Sequence, residues 1–162
     1  MHDVPPPALD YARVVAYAVV DDSVEWTGRQ RLFVNEVLLG PVSRLAIAQN
    51  LFGDRQDLLL FHCNDEWTVL GVVVRASIQE IKDAAEGWYS GIGARWIDVA
   101  NTPESAESWI RAQETTVSCS FCDKFPPQVE SMAFGKNACI CNECTKRLYE
   151  ELSSGSEAGS AA

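Results

Sequence analysis

Two Cys-x-x-Cys pairs, Cys119-Ser120-Phe121-Cys122 and Cys141-Asn142-Glu143-Cys144, constrain this chain more than any other feature. Each pair sets two thiols on one tight turn, and two such turns complete a tetrahedron of sulfur around a metal ion. The spacing predicts one structural Zn2+ per chain, with Cys119, Cys122, Cys141 and Cys144 as ligands. Four thiolates fill the coordination sphere and leave no position for water or substrate. A segment of about 35 residues cannot enclose a sufficient core, so its folding is expected to depend on the metal. A disulfide framework belongs to oxidising compartments. Here the first apolar run, Val14 to Val20, follows Asp3, Asp10 and Arg13 and is closed by Asp21-Asp22, which is no secretory signal. The expected location is cytoplasmic, with the cysteines reduced.

The residues around the pairs carry a resemblance. Cys119-Ser120-Phe121-Cys122-Asp123-Lys124, then Val129, Met132 and Gly135, then Ile140-Cys141-Asn142-Glu143-Cys144 resemble the N-terminal zinc-binding domain of the ClpX chaperones. The likeness covers residues 117–152. It implies the same four ligands, a module that dimerises, and binding of adaptors and of unfolded or tagged clients. Three positions depart from the pattern. Asp123 stands where the family usually has glycine, and Asp tolerates the left-handed backbone such a turn needs. Pro126-Pro127 replaces a more polar stretch on the client-binding side, and Cys139 stands where an aromatic residue is common. Cys139 is a substitute ligand only if a strand places it on the same side as Cys141. The ATPase of those chaperones does not carry over, since no Gly-x-x-x-x-Gly-Lys-Ser/Thr loop occurs in the sequence.

Composition changes once along the chain. All five tryptophans precede residue 113, and five of the six cysteines follow it. The division expected is a disordered leader over 1–10, marked by Pro5-Pro6-Pro7, and an acidic domain over 11–112. A linker over 113–116, the zinc module over 117–152 and a flexible tail over 153–162 complete it. The tail's ending, Ala161-Ala162, resembles the small apolar termini by which ClpX-type unfoldases recognise tagged clients, although an inert Gly/Ser/Ala tail has the same composition. In the first domain, Val14 to Val20 and Leu32 to Leu39 read as strands, and Leu45 to Leu51 reads as a strand or a short helix. Leu58 to Cys63 and Trp67 to Val74 form a hairpin across Asn64-Asp65-Glu66. Ser77 with Glu80 opens a helix in which Ile78, Ile81, Ala85, Trp88 and Tyr89 follow at helical spacing, with Gln79, Lys82, Asp83 and Glu86 on the other face, stopped by Gly91 and Gly93. A short strand around Arg95 to Val99 and a second helix opened by Thr102-Pro103-Glu104 complete an α+β domain. Its antiparallel sheet carries one or two covering helices and is followed by the small four-cysteine module.

Charge narrows the function. Nine basic side chains against sixteen acidic ones precede residue 113, four against seven follow it, and the formal net charge is −10. Neither part offers the basic surface that nucleic acid or an anionic membrane requires. The longest uncharged stretch, Leu45 to Gly53, is 9 residues, where a spanning helix needs about 20. His62 and Cys63 are neighbours in a strand and face opposite ways, so they form no dyad. His62 reads as a satisfied histidine at a strand end, and Trp88, Trp96 and Trp109 as packing under the sheet. No catalytic set is found, and no cofactor besides zinc. The expected protein is no enzyme but a partner of other proteins, a chaperone client or adaptor among them, and a homodimer through its zinc module. A second reading is an acidic inhibitor or immunity-type protein for a basic toxin or nuclease, with zinc only as scaffold.

Overall fold

The computed structural model describes residues 3–52, 57–113 and 117–155. It divides into two compact units after Gln113, and the first is an antiparallel sheet with two helices. Its elements are β1 (Ala8–Leu9), β2 (Ala12–Val19), β3 (Glu25–Trp26), β4 (Phe33–Val34), β5 (Val37–Leu38), β6 (Arg44–Asn50), β7 (Leu58–Cys63), β8 (Val69–Arg75), α1 (Ile78–Trp88), β9 (Tyr89–Ser90), β10 (Ile97–Asp98) and α2 (Pro103–Ala112). The main sheet runs β1-β2-β6-β7-β8, and β10 pairs with the same strand β2 that takes β1. β1 occupies the start of that edge (Leu9 opposite Ala12) and β10 its end (Ile97 opposite Tyr17). A bulge at Val15 separates the two stretches of the β2–β6 ladder, and the Val15 carbonyl accepts from Val99 N instead.

The leader is therefore part of the sheet. Ala8 and Leu9 are buried, and Val14 N donates to Pro7 O at 3.0 Å. The two-residue turn Asp10-Tyr11 has φ of 43° and 63°, the left-handed pair that matches the twist of the strands it joins. The run Leu32 to Leu39 is a correction of the same kind. It is a hairpin, β4 against β5, turning at Asn35 and Glu36 with φ of 50° and 67°. Leu45 to Leu51 resolves as a strand because β6 is held on both sides, by β2 and by β7.

The sheet buries both faces. On one, Val14, Tyr17, Ala46, Leu59, Phe61, Cys63 and Trp67 pack together; on the other, Leu45, Ile47, Leu60, Ile81, Ala85, Tyr89 and Ile92 do so under α1. Trp88 and Trp96 pack against that second cluster, as does Trp26, whereas Trp109 on α2 keeps 40% of its surface in solvent. Gly71 faces the β4–β5 hairpin so closely that a Cβ there would lie 2.5 Å from Leu32 Cδ2. A larger residue in the middle of β8 would have to displace the Leu32 side chain.

Both helices begin as the sequence predicts. Ser77 Oγ accepts from Glu80 N, but the Glu80 carboxylate reaches back to Ala76 N, one residue before the cap. In α2 the box is complete: Thr102 Oγ1 accepts from Ser105 N at 3.1 Å, and Ser105 Oγ accepts from Thr102 N at 3.0 Å. Thr102→Ala is expected to cost about 1 kcal/mol, read as a lower urea midpoint of the tryptophan signal. After α1, Gly91 takes a left-handed φ of 91°, and the Gly91 and Gly93 amides both donate to the Glu86 carboxylate at 2.8 and 2.7 Å. These bonds hold the exposed Glu86 carboxyl below its ordinary range.

The second unit contains a short ribbon, β11 (Met132–Phe134) against β12 (Cys139–Cys141), and a helix α3 (Asn142–Gly155). The helix continues past residue 153, where the tail was expected to begin. Ser154 Oγ folds back onto the Glu150 and Glu151 carbonyls and is accommodated within it. Gln113 ends α2, with its N–H on Ile110 O. The rest of the expected linker, 114–116, and the expected tail from 156, including Ala161-Ala162, lie outside the described residues. No helix among the described residues is long and apolar enough to cross a membrane.

Candidate metal centre

Local backbone bonds build the two turns. After the first pair the chain closes through Asp123 N to Cys119 O and Cys119 N to Lys124 O, both 2.9 Å, with Asp123 at φ 59°. The aspartate therefore fills the left-handed position that glycine would otherwise take. In the second pair Cys141 ends β12 and Cys144 lies in the first turn of α3, with Asn142 N held by Ser131 O. Two further bonds dock one turn on the other: Ser120 N donates to Cys139 O, and Cys139 N donates to Ser120 Oγ.

The four thiols converge. The Sγ atoms of Cys119, Cys122, Cys141 and Cys144 all lie within 4.8 Å of one another, and Cys122 Sγ is 3.7 Å from Cys141 Sγ. A tetrahedron with Zn–S bonds of about 2.3 Å has edges of about 3.8 Å, so the cluster has the size of a zinc site. The donor chemistry fits as well. Cys141 N donates to Cys119 Sγ and Cys144 N to Cys141 Sγ, each at 3.4 Å, an arrangement that favours the thiolate form. Burial alone would raise the Cys119 thiol, but the Cys141, Phe121 and Cys122 amides outweigh it and bring it down to about 6. Cys144 goes the other way, pushed up to about 12 by burial and then by its neighbouring thiols. Holding all four sulfurs as thiolates in so small a volume therefore requires a cation among them.

Two features around the cluster were not evident in the sequence. Lys124, just after the first turn, pairs with Glu143 inside the second Cys-x-x-Cys and so straps the two together. Its ammonium is held further in the charged form by that bond and by the nearby Cys122 and Cys141. Cys139 does lie in a strand with Cys141, yet it stands outside the four-sulfur cluster and serves the Ser120 contact instead. A charge pair nineteen residues apart carries no periodic signal, so only the folded knuckles reveal it.

The other titratable candidates bring nothing together. His62 and Cys63 belong to opposite faces of the sheet; burial pushes the Cys63 thiol up to about 12 and the His62 imidazole down to about 4. Neither ring nitrogen of His62 has a hydrogen-bond partner, contrary to the satisfied histidine expected there. The Gly71 backbone across the ladder pulls weakly the other way without forming a bond of normal geometry. Among the described residues, only the four cysteines form a metal-competent group of His, Cys, Asp or Glu.

A closed cluster of four cysteines on a β-ribbon and a following helix is a structural zinc finger, able to hold one Zn2+. Residues 117–153 match the family model of the ClpX C4-type zinc finger, in agreement with the resemblance carried by the cysteines and their flanks. No solved structure matches the chain.

Proposed function

We propose that this is a non-enzymatic, cytoplasmic protein-binding protein. Its zinc finger pairs with a second copy and docks unfolded or adaptor proteins. The observation that carries the reading is apolar surface on a unit whose metal site is closed to chemistry. Phe134, Tyr149 and Leu152 are 67%, 72% and 76% exposed. Beside them lies a groove of about 490 Å³ lined by Ala133, Ile140, Thr145, Lys146 and Tyr149. So small a folded unit gains nothing in stability from large side chains held in water, and Tyr149, which lines the groove, shares one face of α3 with Leu152, three residues on, as an interaction surface does. Leu148 is half-buried and Leu152 exposed, so Leu152 is the position to test without disturbing the packing of α3.

Sedimentation of the zinc-loaded protein is expected to show a reversible dimer at micromolar concentration that Leu152→Glu or Tyr149→Glu weakens at least tenfold. A reduced, carboxymethylated polypeptide, permanently unfolded, serves as the client probe, and its binding is expected to fall in the same variants. Unchanged association and unchanged probe binding in both variants would refute the reading. Binding that collapses in moderate salt instead would favour the acidic-inhibitor function, since apolar docking is only weakly screened.

A further inference from the structure

The first unit has an unfinished sheet edge. β8 is the last strand of the β1-β2-β6-β7-β8 path, and among the described residues its only ladder partner is β7. Beyond that ladder, the described residues give its outer side one hydrogen bond, from the Arg75 guanidinium to the Val74 carbonyl at 2.8 Å. Folded proteins ordinarily protect such an edge with inward charges, proline or a covering element. Here Trp67 to Val74 is an uncharged stretch without proline, and the β4–β5 hairpin that packs against β8 meets it on the Gly71 side and forms no ladder with it. Val72 and Val74 sit across from Phe61 and Leu59, so both extend the apolar face of the sheet, and they are 44% and 52% exposed. Leu70, the extra residue of a bulge against His62 and Cys63, is exposed too.

We infer that the β8 edge pairs antiparallel with β8 of a second copy of this chain, joining two sheets into one across a twofold axis. Two observations select this occupant. The first is charge. With a net −10 over the chain, most surfaces repel a second copy, whereas this edge carries no charge between Glu66 and Arg75. The acidic pair Asp65-Glu66 precedes the strand and Arg75 ends it, so antiparallel self-pairing brings the positive end of each strand toward the negative end of the other. A parallel arrangement would set like ends together. The second is symmetry. A twofold axis perpendicular to the sheet through the middle of β8 keeps the faces matched, and it places Val72 and Val74 against the same residues of the other copy. Main-chain bonds then complete the edge while the valines cover one another. This surface lies in the first unit and is independent of the zinc finger reading above.

The test is hydrogen exchange of the full-length, zinc-loaded protein at about 1 and about 200 µM, followed in peptides spanning Val69–Arg75. The expected result is amide exchange at least tenfold slower at the higher concentration in this segment. Val72→Lys, at a position already half in solvent, should abolish that slowing. Leu152→Glu, in the zinc finger, should leave it intact. Exchange in Val69–Arg75 that is independent of concentration overturns the inference, whether the edge is then open or covered from within the same chain. Slowing that Leu152→Glu removes and Val72→Lys does not would overturn it as well, because the association would then run through the zinc finger.

Discussion

Replacing Cys141 with serine is expected to abolish stoichiometric zinc and, with it, the folded state of residues 117–155. The effect should be nearly all-or-none. Apart from the sulfurs and one buried aromatic, Phe125, the apolar side chains packed around the cluster are Val129, Met132 and Ile140, and these three are only partly buried. Such a core cannot offset the conformational entropy of some forty residues, so the free energy of binding zinc is the free energy of folding the unit. Cys141 is an exacting position to remove. It is inaccessible to solvent, its Sγ accepts from Cys144 N, and its own N–H donates to Cys119 Sγ. Elemental analysis should give one zinc per chain for the wild type and well under a tenth of that for Cys141→Ser. A strong chelator should reproduce the variant. In both cases tryptophan fluorescence is expected to stay unshifted, because every tryptophan precedes residue 113 and the first unit has cores of its own. Full zinc content in Cys141→Ser would contradict the ligand assignment, and a red-shifted emission on chelation would mean that the two units unfold together.

The second large effect is on acid stability, and it comes from His62. The imidazole is fully buried between the sheet and the end of α1, its ring centroid 5.8 Å from that of Trp88 and 6.4 Å from that of Tyr89. The Gly71 backbone favours its protonation only weakly, and among the described residues no carboxylate stands beside it to welcome a proton. Burial sets its folded pKa at about 4 against 6.5 for an ordinary histidine. Between these values the unfolded chain binds the proton and the folded chain does not, so stability rises with pH. The contribution is complete above pH 6.5 and is lost as pH falls toward 4. The full difference is about 3 kcal/mol at 1.36 kcal/mol per pH unit. Urea titrations read by tryptophan emission, at pH 7.5 and at pH 4.5, should show this loss in the wild type beyond whatever His62→Leu shows. Equal losses in the two proteins would mean that His62 is reached by solvent or finds a partner on protonation.

What the sequence disclosed and what it withheld divide by range. The zinc centre was legible because both turns are local: two residues between cysteines fix each knuckle, and only their docking needed the fold. The α1 and α2 starts were legible for the same reason, through Ser77 and Thr102. The Leu58 to Cys63 and Trp67 to Val74 strands were marked by apolar runs on either side of a polar turn, where Asn64 Oδ1 in fact accepts from the Glu66 and Thr68 amides. The hairpin at Asn35-Glu36 was hidden because its left-handed turn carries no glycine. Ala8-Leu9 was hidden behind prolines, which exclude a helix but do not exclude a two-residue strand. β6 stayed ambiguous until its partners on both sides were known. The missing partner of His62 had no signature at all, since it is a property of the space around one side chain.

The shared edge of β2 has a practical consequence for anyone cutting this protein. Ala8–Leu9 and Ile97–Asp98 lie on the same strand, one at each end of it, and α2 packs against β1 and β2. The polypeptide therefore enters and leaves the first unit at one place. Trimming residues 1–10 as a leader would strip half of an edge that the far end of the unit helps to close. The reverse operation is cheap. Joining the start of β1 to the end of α2 with a short flexible segment and reopening the chain at the Asn35-Glu36 turn keeps every strand in its ladder. Circular permutation at that turn is therefore expected to leave the urea midpoint of the tryptophan signal close to that of the uncut unit, provided the joining segment keeps Pro7, whose carbonyl accepts from Val14 N.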